Sequence, residues 1–433
     1  MTFEWAPPLA GRPTGLPTRA LADGLLWLAV FLGGFVIFEP APYDLFLALL
    51  IPAWLLLGLK IPRALAPLVV LMLLFLAGGI MAATQAKDFS TQPIYYAVTA
   101  FLAFSSCFFA AIVAGDRSRL DTIVTAWIAA ALFTTVLGVI GYAGLVGELF
   151  TKFGRATGGF QDPNVFGPFL IFPFVVLVRR ALTQPPGAAL KSGALALVVF
   201  VGIFLSFSRA AWGLTVITTL MVAGLLFVTE QSAKARMRVV AIGAIGVVLI
   251  GIVVGAALSV PAVSQLFQDR AQIEQDYDSG HLGRFQRHVI GFNMMLDHPL
   301  GIGAIEFGRT FGEDEHDIWL KTLTTYGWLG FAAYVMLVVW TLVAAFPLVF
   351  RSGPLQTVTQ IAYIVFLGHM LMASVIDIDH WRHVYLLFGI LWGAIAADKA
   401  TAQQRLRDWL TFGPRGYRRE VMVGARGFEP PTP

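Results

Sequence analysis

The sequence predicts an all-α polytopic membrane protein, a helical bundle of about 12 transmembrane helices with one long loop on its outer side. Three observations predict it. Of the 433 residues 57% are hydrophobic and 13% are charged, where a soluble domain carries about 25% charged residues. Mean hydropathy is +0.75, and runs long enough to cross a bilayer recur from residue 21 to residue 397. Basic residues concentrate in alternate connections. The same composition excludes an ordinary soluble enzyme, and also a disordered chain, which needs low hydrophobicity and high charge.

The parts follow in chain order. Residues 1–20 are a Pro-rich cytoplasmic segment with Arg12 and Arg19. The apolar run after them ends at Phe38-Glu39-Pro40 without a small-x-small cleavage site, so it is expected to be a retained first span. Spans are expected at 21–38, 43–59, 64–83, 93–114, 121–146, 164–180, 189–206, 210–228, 239–260, 316–349, 356–376 and 381–397. The second holds Pro52 and the sixth Pro168 and Pro173, which spans tolerate when neighbouring helices satisfy the freed carbonyls. The tenth is too long for one straight crossing and is expected to project beyond the bilayer. Together 21–399 form one transmembrane domain. The basic tail, 400–433, is expected to start with an interfacial helix over 402–412 and to be disordered beyond Gly413.

Charge sets the orientation. With both termini in the cytoplasm, about 20 of the 30 basic residues fall inside. The net charge of +4 and pI of about 9.2 therefore reflect topology and membrane lipids; no nucleic-acid partner is expected. The single cysteine, Cys107, allows no intrachain disulfide.

The outer side holds four informative segments, 147–163, 206–210, 261–315 and 377–383, and six of the seven histidines. Within 261–315, residues 284–297 place Phe285, Val289, Phe292 and Met295 on one stripe, which predicts an interfacial helix. Segment 153–168 joins Arg155 to Gly158-Gly159 and Asp162-Pro163-Asn164. The glycines permit close approach of a ligand, Asp162 or Asn164 can cap the next helix, and that N-terminus can face an anion. The plainer alternative is a capped re-entry turn with an outward arginine. Arg209 lies in a short turn between two apolar runs with no acid nearby in sequence, a costly place for a guanidinium unless it is paired or lines a wet cavity. Arg284, Arg287 and His288 form a basic face, for a ligand or for lipid headgroups. His316 stands between Glu315 and Asp317, whose charges favour the imidazolium and can orient the ring for general-base work. A solvated acidic turn, or a divalent cation on Glu313, Glu315 and His316, are the competing readings. The set suits a membrane-embedded diphosphate, which arginine grips bidentately.

GRATGGFQDPN, SFSRAAW, GRFQRHVIGFNMMLDHPLGIGAIEFG and EHDIWLKTLTTYGWLGF occur in this order. The series resembles the O-antigen ligase family, which includes O-antigen and exopolysaccharide polymerases and protein O-oligosaccharyltransferases. The resemblance covers about residues 150–345. It implies a glycosyltransferase-C-like fold and a metal-independent, inverting transfer of a glycan from undecaprenyl diphosphate. The acceptor would be a hydroxyl on lipid A–core (lipopolysaccharide assembly), a growing glycan or a protein, at the periplasmic face of the inner membrane. By the resemblance Arg155, Arg209 and Arg284 hold the diphosphate with Arg287, His288 and Asn164, and His316 takes the acceptor proton. Asp162, Glu315 and Asp317 support them, and no cofactor is required. The family has Asn where this chain has Asp317. Ionised Asp only accepts hydrogen bonds, so two roles stand side by side, His316 as neutral base or as cationic donor to phosphate. A monomer is expected. The rival classes are a flippase for lipid-linked saccharides, which would place polar groups near the midplane, and a non-catalytic scaffold.

Overall fold

The computed structural model describes residues 16–230, 232–272 and 284–425. The expectations for Arg12, His281 and the last eight residues lie outside them. The described residues are mostly helical, in the order α1 (Leu16–Leu32), α2 (Pro42–Leu56), α3 (Ala66–Ala83), α4 (Gln92–Gly115) and α5 (Arg119–Tyr142), with strands β1 (Leu145–Glu148), β2 (Thr151–Lys152) and β3 (Arg155–Ala156). Then come α6 (Pro163–Phe169), α7 (Ile171–Thr183), α8 (Pro186–Leu205), α9 (Arg209–Thr229), α10 (Ala233–Leu258), α11 (Pro261–Ala271), α12 (Arg284–Asp297) and α13 (Glu306–Phe311). The chain continues through α14 (Ile318–Phe350), α15 (Gln356–Met372) and α16 (Arg382–Ala425).

Among the described residues, 9 helices are long and apolar enough to cross a bilayer. The chain is thus an all-α multi-pass membrane protein. Of the other three expected spans, α1 and α15 have 17 residues and α2 has 15. The sixth expected span is two helices, α6 and α7, meeting at Leu170. Within the segment 261–315 the described residues hold α11, α12 and α13. Gly413 does not end the last helix, which runs on to Ala425.

Two long packings organise the bundle, α3 along α14 and α4 along α16. Small residues allow both. A Cβ on Gly78 would come within 2.5 Å of the Tyr326 carbonyl, and one on Gly393 within 2.5 Å of Val113 Cβ. Close helix approach of this kind is the main source of association where lipid competes for apolar contact. By contrast, α10 has only Val239 buried; its apolar surface is left to lipid.

The tenth span is broken. Gly327 (φ 64°, ψ −175°) interrupts α14, and the turn Pro299–Gly303 inserts there. Trp328 N–H donates to Pro299 O at 3.0 Å and Ile302 N–H to Thr324 O at 2.8 Å. The backbone groups freed by the break are satisfied inside the protein, the condition for irregular backbone at such a place. The expectation of a long span is corrected to two helical pieces wedged around this turn.

The two ends of the bundle differ. At one, Arg382 grips Asp44 through Nε at 2.8 Å and an NH2 at 2.5 Å, Arg309 pairs with Asp88 at 2.8 Å, and Val36 pairs with Phe160. At the other, Arg19 meets Asp116 at 3.2 Å, Arg119 meets Asp23 at 3.6 Å, and Arg351 meets Asp398. The candidate site residues all belong to the first end.

Candidate functional site

Beyond α5 a small hairpin pairs Lys152 with Arg155, with Phe153 and Gly154 at its tip in the left-handed region (φ 54° and 69°). The strand turns Arg155 inward, 4% exposed. Its Nε donates to Ser206 O and its NH2 to Asn164 Oδ1, both at 2.7 Å. Asp162 caps α6 by accepting from Asn164 N–H at 2.7 Å, with Pro163 in the first helical position. Arg155 therefore joins the start of α6 to the turn before α9. The reading of Gly158 and Gly159 as room for a ligand is corrected. A Cβ on Gly158 would lie 2.5 Å from the Thr134 carbonyl, and one on Gly159 would lie 2.2 Å from the Gly34 carbonyl. They let the segment lie against the bundle, and Thr134 Oγ1 receives the Gly159 N–H at 2.6 Å.

The turn before α9 is tightly made. Phe207 has φ 45°, Ser208 N–H donates to Ser206 Oγ at 3.3 Å, and Ser208 caps α9 at Ala211 N–H, 3.4 Å away. Arg209 is the first residue of α9 and half-buried, and its guanidinium donates to Gln272 O at 3.0 Å, just beyond α11. The third arginine, Arg284, opens α12, but its side chain lies outside the described residues.

Helix α12 spans the predicted residues. Val289 and Phe292 are exposed, while Arg287, Gly291 and Met295 are buried. Arg287 is 5% exposed and pairs with Glu313. A Cβ on Gly291 would lie 2.8 Å from the Phe307 ring. The ion pair and this close contact hold one side of the helix against the protein and leave Val289 and Phe292 of the apolar stripe outside. Its remaining groove against α14, about 430 Å³, is lined by His288, Val289, Phe292, Asp317, Trp319, Leu320, Leu323 and Phe331.

His316 occupies a left-handed turn (φ 52°) directly before α14. A non-glycine residue held there costs on the order of 1–3 kcal/mol and persists only where its surroundings enforce it. Both neighbouring acids are engaged elsewhere. Asp317 caps α14 at Trp319 N–H, 2.9 Å away, and burial raises its carboxyl above the usual range. Glu315 is 2% exposed and accepts from Lys321 Nζ at 3.2 Å and Thr324 Oγ1 at 2.6 Å. Its carbonyl accepts from His288 Nε2 at 2.8 Å, which requires the proton on that nitrogen. Glu313, Glu315 and His316 do not gather as ligands, because Glu313 belongs to Arg287 and Glu315 to Lys321.

Sequence reasoning missed what lies behind this turn. The buried Lys321 ammonium also faces Asp377, at 3.7 Å. Asp377 keeps 28% of its side-chain surface, yet loss of water pushes its carboxyl up to about 7 against the pull of Lys321. Two residues on, Asp379 accepts from Tyr95 OH at 2.5 Å and Tyr326 OH at 2.9 Å. Thr99 links Tyr326 OH (2.8 Å) to His380 Nε2 (2.9 Å), and burial pushes His380 below its ordinary value. A lone lysine near the start of an apolar span is itself a signal, since ionisable groups in such segments need a named partner.

The Arg155–Arg209 group and the His316–Lys321 group are coupled through α15. Ala373 O accepts from Ile318 N–H at 2.9 Å. A Cβ on Gly368 would lie 2.4 Å from Leu214 of α9. The structure thus carries cationic groups on capped turns and a histidine in a left-handed turn backed by a buried acid–base network, the two linked through α15.

No curated protein matches the chain. Residues 194–335 match the family described as O-antigen ligase. That stretch holds Arg209, Arg284, Arg287, His288 and His316, while Arg155, Asp162 and Asn164 precede it. Across the region that builds the α9 turn, α12 and the His316 turn, the chain is similar to the O-antigen ligase family.

Proposed function

We propose that the protein transfers a glycan from undecaprenyl diphosphate to an acceptor hydroxyl at the periplasmic face of the inner membrane, as a ligase or polysaccharide polymerase. In this reading α1, α2 and α15 also cross, giving about 12 spans with both termini in the cytoplasm. The observation that carries the reading is that one family-matched region contains Arg209, Arg284 and His316 together. Arg209 and Arg284 hold the diphosphate and stabilise the charge that develops on it as the glycosidic bond breaks, the kind of preorganised electrostatics that lowers such barriers. His316 accepts the proton of the attacking hydroxyl, which displaces the diphosphate in line and inverts the anomeric carbon. Arg155 and Arg287, both buried and bonded within the protein, build the frame around these groups, Arg155 with Asn164 and Arg287 with Glu313, and His288 joins it through the Glu315 carbonyl. The crowding of polar groups at one end of the bundle favours transfer there over carriage through the midplane.

Purified protein given a diphosphate-linked donor and an acceptor should release undecaprenyl diphosphate. Arg209→Ala and His316→Ala should each lower that release by on the order of 100-fold, at unchanged protein level, as loss of a charge-stabilising or proton-transferring group does. Transport of donor across vesicles without release would establish the flippase reading. Normal release by both variants would refute the assigned roles.

A further inference from the structure

His316 keeps its left-handed backbone because both flanking residues are pinned. Downstream, Asp317 caps α14. Upstream, Glu315 is drawn into the bundle by Lys321 Nζ at 3.2 Å and Thr324 Oγ1 at 2.6 Å. Lys321 lies one turn beyond the cap, its N–H bonded to Asp317 O at 2.9 Å, and is 4% exposed. Its ammonium reaches back to Glu315 and across to Asp377, at 3.7 Å, in the connection between α15 and α16. It therefore clasps two separate connections at this end of the bundle. A buried pair of this kind is a poor source of net stability, but removing one partner strands the other charge. Without Lys321 the Glu315 carboxylate would retain, of these two donors, only a neutral hydroxyl. Its return toward water would carry the adjacent His316 with it.

We propose that Lys321 is a positioning residue for His316: by holding Glu315 inside the bundle, its ammonium fixes the strained turn that carries the imidazole, without itself touching the substrate. The consequence for transfer rests on the glycan-transfer reading above; the tether does not.

The test uses the full chain purified in detergent, as wild type, as Lys321→Met, and as Lys321→Met combined with Glu315→Gln. Two quantities are followed. One is the rate at which diethyl pyrocarbonate modifies His316, located by peptide mass mapping; the other is release of undecaprenyl diphosphate. In Lys321→Met the thermal midpoint should fall and His316 should react several-fold faster. Release should drop by on the order of 100-fold, the effect of misplacing a reacting group by roughly 1 Å. In the double variant Glu315 no longer carries a stranded charge and only Asp377 has lost its cationic partner, so the midpoint should recover part of the way toward wild type. Release should nevertheless stay low and modification fast, because the tether is still absent. Recovery of release in the double variant would reduce Lys321 to charge compensation and overturn the proposal. So would a modification rate unchanged or slower in both variants. If wild type releases no undecaprenyl diphosphate, the transfer reading fails alone, and the modification rate still decides the tether.

Discussion

At the residue scale, Asp317 does two things that substitution separates: it caps α14 and it places a negative charge next to His316. Asn caps about as well as Asp, whereas Ala does not. Asp317→Asn should therefore leave the thermal midpoint near wild type, while Asp317→Ala should destabilise by about 0.5–2 kcal/mol; denaturation in detergent checks both. If the charge tunes His316, the pH profile of transfer will move in the Asn variant although the fold does not. Asp377 gives a second pH signature. Its carboxyl is raised from 3.8 to about 7, so the folded protein favours the protonated form. Its contribution to stability is present in full below about pH 4 and is lost as pH rises through about 7. The midpoint of wild type minus that of Asp377→Asn should accordingly fall between these pH values. A difference that rises would mean that attraction to Lys321 outweighs the loss of water. Arg209 and His316 stood out in the sequence as candidates because a polar residue beside long apolar runs is costly to leave unpartnered. The tie from Arg155 to Ser206 and the grip of Lys321 on Glu315 were not, because each partner is chosen by how distant segments meet. Gly158 shows the same limit: its residue type announced a close approach, but not that the approaching group would be the α5 backbone.

At the scale of elements, α12 and α14 show what periodicity reads and what it leaves open. The bounds of α12 followed from its pattern and its His298-Pro299 stop, yet the side held against the protein is set by the Arg287–Glu313 pair and the tight seat of Gly291, which no hydrophobic period encodes. The excess length of the tenth span was visible, but its cause was not. A glycine inside an apolar run is ambiguous until the chain that fills the break is known, here the turn at Pro299–Gly303. This wedge makes a sharp prediction. Gly327 has φ 64°, and a Cβ there would lie 2.6 Å from the Leu300 carbonyl carbon. Gly327→Ala should destabilise by more than about 1 kcal/mol, beyond what the loss of glycine's flexibility could offset. Because the wedge also sets the first piece of α14, which carries Lys321 and Thr324, transfer should fall in the same variant. A variant with lowered midpoint and full transfer would show that the break is not coupled to the His316 turn.

At the scale of the whole molecule, the scarcity of charge makes its distribution informative. Ion pairs at one end are shared among short connections rich in Arg and Lys, and at the other end the charged groups are engaged in turns, caps and the buried network around Lys321. Helix class and the helical course of each apolar run were legible from composition and length, because backbone groups in lipid must bond within their own segment. Sidedness was legible only as a bias in basic residues, and a physical experiment fixes it. The protein has one cysteine, Cys107, which is buried, so the background for thiol labelling is low. Lys152, exposed at the hairpin beside Arg155, and Lys191, exposed near the start of α8 at the opposite end, are suitable positions for Lys→Cys reporters. If the candidate site faces the periplasm, a membrane-impermeant maleimide added to intact spheroplasts should label Lys152→Cys and spare Lys191→Cys until the membrane is opened. The reverse pattern would place the histidine turn on the cytoplasmic side, and the proposed outward transfer would fall with it. Labelling of both before permeabilisation would mean that residues 152 and 191 do not lie on opposite sides of one bilayer, which would contradict the alternating order of α5 to α8.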